Sequence, residues 1–137
     1  MALPNGAGGY QIGDGNLNET IFDVIPAPAT ATATATLTAD QVLNGILLGS
    51  PGTSAASYTL PTVAALEAAL PNSDKPGVSF PFSVMNVDGS GSGVITLVTN
   101  TGWTLVGLMT VVATAGTAQM FRARKTGTGT WSLYRVG

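Results

Sequence analysis

The chain has 137 residues, enough for one ordinary domain with its own core plus a terminal extension. Hydrophobic residues make up 45% and charged residues only 9%, against roughly 25% in typical soluble proteins, which excludes a disordered chain and leaves a surface weakly protected against association. With no cysteine, no histidine and a net charge of −2, disulfides, thiolate zinc sites, thiol nucleophiles, histidine bases and a dominant phosphate-binding footprint are excluded, so nucleic acid is not an expected partner.

No apolar run approaches the roughly 20 residues needed to span a bilayer, so no membrane association is expected. The opening MALPNGAGGYQ has neither the basic nor the apolar region of a signal peptide, and synthesis in a cytoplasm is the expectation.

Residues 1–36 read as an extended N-terminal arm and linker, and 37–137 as a β-sandwich domain. The arm is rich in glycine, with turn dipeptides at Asn5-Gly6 and Asp14-Gly15. Its sparse apolar residues (Leu3, Tyr10, Ile12, Leu17, Ile21 and Phe22) suit single anchors placed in grooves on a partner rather than a core. Its charges, Asp14, Glu19 and Asp23, are all acidic. Pro26 and Pro28 then favour extended backbone, and Ala and Thr alternate from Ala29 to Thr36 with period two. This segment is either a semi-stiff linker or a strand that pairs with the domain or a neighbouring subunit.

From Leu37 the globular pattern begins. Thr38 and Gln41 have capping-box spacing and Gly45 is a stop signal, so one or two helical turns are predicted over Ala39–Leu43. Short strands follow at 46–49 and 58–61. Thr62 is placed to cap a helix over 63–70, with Val63, Leu66 and Leu70 on one face and Pro71 as its stop. Residues 78–87 alternate, with Val78, Phe80, Phe82 and Val84 on one face; Pro81 marks an edge or a bulge. The turn at 88–93 predicts that 94–100 returns as the second arm of a hairpin. Further strands are predicted at 103–107, 109–114, 118–126 and 131–136, with Phe121 and Ala123 opposite Arg122 and Arg124, and Trp131 and Leu133 inward. About eight short strands with frequent turns indicate an all-β fold, and a single jelly-roll-like β-sandwich with one or two short helices is the expected topology.

Candidate chemistry is thin. Asp14, Asn16 and Asn18 open like a calcium loop, but Glu19 stands where glycine is required and Ile25 where the bidentate glutamate belongs. Gly6, Gly8, Gly9 and Gly13 lack the spacing and flanking elements of a nucleotide fingerprint, and Asn18-Glu19-Thr20 is a glycosylation sequon without a secretory context. The acids are scattered: Asp40, Glu67, Asp74 and Asp88 sit at a helix start, on a helix face or in loops, where solvated acids are expected. A Ser–Lys arrangement would rest on Lys75 or Lys125, both expected to be exposed. No catalytic residue, metal site or cofactor is therefore assigned, and no enzyme activity is expected. Arg122, Arg124, Lys125 and Arg135 are four of the five basic residues. They read either as the charged face of an edge strand or as a docking contact, with Arg122, Arg124 and Arg135 the expected inter-subunit residues. Trp103, Trp131, Phe80 and Phe82 read as core.

GYQIGDGNLNE (9–19) resembles a motif near the N-terminus of small proteins encoded beside major capsid genes in tailed phages. The stretch from LTADQVLNGILLG, with GVSFPFSVMN, GWTLVGLMTV and FRARKTGTGTWSLYRVG, resembles a Gly/Thr-rich β module of phage virion proteins, including cyanophage capsid decoration (cement) proteins. The resemblance covers nearly the whole chain. It implies a structural virion protein on the capsid exterior, a homotrimer whose arm reaches across the major capsid protein. Carried over to this sequence, Tyr10, Gln11, Ile12, Asp14, Asn16 and Asn18 are the implied capsid-contact residues. Because the β module also occurs in tails, the rival expectation is a tail or fibre component that binds glycan.

Overall fold

The computed structural model describes residues 24–88 and 92–137. Ten strands form two sheets: β1 (Ala29–Ala31), β3 (Ile46–Gly49), β5 (Ser79–Asn86), β7 (Trp103–Val106), β9 (Thr117–Gly127) and β10 (Thr130–Arg135) in one; β2 (Ala35–Thr36), β4 (Ala56–Thr59), β6 (Ile95–Val98) and β8 (Thr110–Val111) in the other. Two short helices, α1 (Ala39–Leu43) and α2 (Val63–Ala68), lie on the connections. The architecture is an all-β sandwich.

Its first part is a coil. The chain alternates between the sheets, and each pass adds a strand to both, giving the neighbours β1-β3-β5 and β2-β4-β6. All four of these pairings are parallel. Parallel neighbours need a crossover, and here the crossover is the visit to the opposite sheet. The last part is mostly antiparallel: β9 pairs with β5 and β10, β8 closes the small sheet against β6, and β7 runs parallel to β10 at the far edge. This departs from the antiparallel order expected of a jelly roll. Short apolar runs between turns look alike in both topologies, because neither records strand direction.

The expected hairpin of 78–87 with 94–100 does not form: β6 pairs with β4 and β8 in the other sheet. Both edges of β5 are already occupied, by β3 and β9. The buried Asn86 side chain spans the gap between sheets, donating to the carbonyls of Gly93 (2.9 Å) and Val112 (3.1 Å). Pro81 sits in this central strand, yet without a missing bond. Ser83 N donates to Gly45 O just before β3 begins, so the Pro81 nitrogen, two residues earlier on the same side, faces a stretch with no β3 partner.

The Ala-Thr segment is not a free linker. Ala29–Ala31 pairs with β3 and Ala35–Thr36 with β4, so these residues of the expected 1–36 arm and linker belong to the sandwich. Ala29 and Ala31 pack against the core, while Thr30 faces out. Two side chains of α1 and its cap hold the segment: Gln41 Nε2 donates to Thr30 O (2.9 Å) and Asn44 Nδ2 to Ala27 O (2.7 Å). The capping box is present, with Thr38 and Gln41 bonding each other's backbone. Thr62 caps α2 through Ala65 N, and Val63 and Leu66 bury its inner face.

The core between the sheets is built on Trp131, Tyr58, Phe82, Phe121, Leu47 and Ile95, all fully buried. Its tightest approach is at Gly49, where a Cβ would collide with Ile95 Cδ1 and lie 3.1 Å from the Tyr58 hydroxyl. Gly102 is constrained twice, by a φ of +92° and by Val63 Cβ at 2.7 Å from any added Cβ.

The Tyr58 hydroxyl shares its proton between the carbonyls of Ala31 (3.1 Å) and Thr32 (2.9 Å), pinning the Ala-Thr segment onto the core. Burial pushes the phenol above its ordinary value of 10.0, Asp88 adds to the rise, and a backbone hydrogen bond at Ser50 opposes it. The fold thus favours the neutral phenol: this stability is complete below the unfolded value of 10.0 and is lost as pH rises through the higher folded value. Tyr58→Phe should cost about 1–2 kcal/mol in urea denaturation at neutral pH. The wild type should then lose stability more steeply than Tyr58→Phe above pH 10.0. Parallel alkaline losses in the two proteins would contradict the assignment.

Candidate docking surface

In a strand, successive side chains point to opposite faces, and residues opposite one another in register share a face. In β9, Phe121, Ala123 and Lys125 are buried, so Met120, Arg122 and Arg124 point outward from the large sheet. Register then places Pro81, Arg122, Tyr134 and Val106 in one outward row across four strands. A second row holds Ser79, Arg124, Ser132 and Thr104. A third runs Ile46, Ser83, Met120, with Val136 N bonded to Met120 O at its side. Thr30, Leu48, Met85 and Ala118 form a fourth.

This face mixes apolar residues with the hydroxyls of Ser79, Ser83, Ser132, Thr30, Thr104 and Tyr134, and its only charges are the two arginines. Val106, Leu108, Met120 and Val136 are 45–63% exposed and gather at the end of β7, β9 and β10. Their grouping at one end of the sheet, unlike singly scattered apolar residues, makes this face the candidate docking surface. No acid occupies any of the four rows. Among the described residues the one ion pair is Lys125–Glu67, so neither Arg122 nor Arg124 meets a carboxylate. Arg122 reaches only the Ser79 hydroxyl, at 3.4 Å.

The three arginines singled out from the sequence do not share one face of the sheet. Arg122 and Arg124 share the outward face, but Arg135 lies opposite Phe121, on the inward side of the sheet. At the sheet's end it folds back, Nη1 donating to Leu108 O and Nε to Gly137 O, both at 3.3 Å. Tyr10, Gln11, Ile12, Asp14, Asn16 and Asn18 lie outside the described residues.

Lys125, expected at the surface, is only 3% exposed and is paired with Glu67 of α2. Alternation demands this: Lys125 has the same parity as Phe121 and Ala123, so it points inward and needs an acid there. The charge run 122–125 conceals two different roles. Of the residues read as core, Trp103, Trp131 and Phe82 are buried, while Phe80 is half-buried.

Beside the half-buried Phe80 lies a cavity that no local pattern announces. About 260 Å³ lies beneath the α2–β5 loop, walled by Leu70, Pro71, Val78 and Phe80, with Trp131 also lining it. The Phe80 and Trp131 rings are 5.7 Å apart. The two tryptophans differ in one respect: Trp103 Nε1 donates to Pro61 O (2.7 Å), whereas the buried Trp131 Nε1 has no acceptor among the described residues. An unsatisfied buried donor costs about 1–3 kcal/mol. Comparison with protein-family models, with curated proteins and with solved structures finds no match.

The two partners of the buried pair should respond unequally to replacement. Glu67→Leu strands Lys125, whose side chain is 4% exposed, and should cost about 3 kcal/mol. Lys125→Met leaves only Glu67, whose side chain is 25% exposed and can take up water, and should change stability by less than about 1 kcal/mol. Urea denaturation of both variants checks the asymmetry; equal losses would refute it.

Proposed function

We propose that this chain is a structural virion protein, a decoration (cement) protein that stabilises a tailed-phage capsid by bridging major capsid subunits as a homotrimer. The observation that carries the reading is the outward face of the large sheet, where exposed Val106, Leu108, Met120 and Val136 adjoin Arg122 and Arg124 without acids. Such a face suits permanent cover by another protein. The charged fraction of 9% supports the same view for the whole surface. The resemblance of GYQIGDGNLNE to a motif of capsid-associated proteins supplies the partner, with Tyr10, Gln11, Ile12, Asp14, Asn16 and Asn18 as the residues that meet the shell.

The mechanism is mass action. A subunit that binds the assembled shell and not its dissociated components shifts the equilibrium toward the shell. A Gly-rich arm binds weakly by itself because docking must order it. Three arms on one trimer raise the effective concentration and gain a factor of roughly 10²–10⁴ in avidity.

Removal of residues 1–18 should leave the thermal unfolding midpoint nearly unchanged, because β1 to β10 and the core lie beyond that point. The same truncation should abolish decoration of heads in a sedimentation assay with purified capsids. Saturation of capsids by the truncated protein would overturn the arm's role. A few copies per virion, rather than hundreds, would favour a tail component instead.

A further inference from the structure

The cavity and the arginine face meet at Ser79. Ser79 lines the cavity, lies opposite Arg124 in register, and accepts a hydrogen bond from Arg122 Nη1. Ser79 is thus the lining residue that joins the apolar hole to the outward arginines, which meet no carboxylate among the described residues. At about 260 Å³ the hole is below the roughly 300–1,000 Å³ of small-molecule sites and fits one large side chain. The matching occupant is an aromatic residue with acids beside it on an extended segment.

The first 23 residues contain no lysine or arginine, and their acids are Asp14, Glu19 and Asp23. Of their two aromatic residues, Tyr10 has no acid within three positions, whereas Phe22 is followed by Asp23 and preceded by Glu19. Val24 and Ile25, where this segment joins, are 97% and 57% exposed. We propose that Phe22 of one copy fills the cavity beneath the α2–β5 loop of a second copy, with Glu19 and Asp23 meeting Arg122 and Arg124. The leader then has two parts: residues 19–23 link copies of the chain, and residues 10–18 remain available for another partner. The link does not depend on where the oligomer is used.

The chain has no cysteine, so disulfide trapping is free of background. Full-length Phe22→Cys is mixed with full-length Asn72→Cys, whose cysteine stands at the exposed cavity rim, and oxidised. Mass spectrometry should show the mixed 22–72 disulfide at about tenfold over a Phe22→Cys and Thr53→Cys mixture, Thr53 lying on an exposed loop remote in sequence from the cavity residues. Adding Arg122→Ser and Arg124→Ser to the Asn72→Cys partner should lower that yield several-fold. The proposal is overturned if the mixed species does not exceed the Thr53 control. It is equally overturned if the double variant Phe22→Cys/Asn72→Cys closes only within single chains. Sedimentation with capsids is read separately: a chain that decorates heads without forming the mixed disulfide sinks this link and leaves the decoration reading standing.

Discussion

Everything in the large sheet is referred to β5. Its residues pair in parallel with β3 on one side and antiparallel with β9 on the other, so this one strand joins the coiled first part to the antiparallel last part. Its register also fixes which residues of β9 face the core. A shift of one position would bury Arg122 and Arg124 and expel Phe121 and Ala123. The burial of Phe82 against Phe121, with ring centroids 6.3 Å apart, locks the chosen register.

Buried polar groups add to this specificity. Asn86 joins the sheets by donating to Gly93 and Val112, Tyr58 anchors the Ala-Thr segment, and Lys125 pairs with Glu67 beneath β9. Each satisfies a group whose burial without a partner would be costly, and each is satisfied in only one arrangement of the strands. Polar pairing therefore discriminates between alternative strand orders that the apolar core alone would tolerate.

The outward face follows from the same alternation. Once Phe121, Ala123 and Lys125 are directed inward, their neighbours must stand outward, and these are Met120, Arg122 and Arg124. Flanking strands contribute Val106, Tyr134 and Ile46 rather than the lysines and glutamates that usually blunt a solvated sheet. A chain with so few charges places two on this surface, and neither meets a carboxylate among the described residues.

The sequence alone determined the local elements. Thr38 with Gln41 and Thr62 with its apolar face placed both helices, and period-two alternation separated Phe121 and Ala123 from Arg122 and Arg124. These features depend on residues within a few positions of one another. Strand direction, sheet membership and the pairing of Lys125 with Glu67 were decided only in three dimensions. The turn before β6 permitted a hairpin, but the partners of β6 are β4 and β8, and nothing local encodes that choice. The Ala-Thr run was compatible with a linker or a strand until Tyr58, far along the chain, supplied the hydroxyl that holds it. The cavity was likewise invisible, because its walls come from α2's exit, β5 and β10 and exist only once those segments meet.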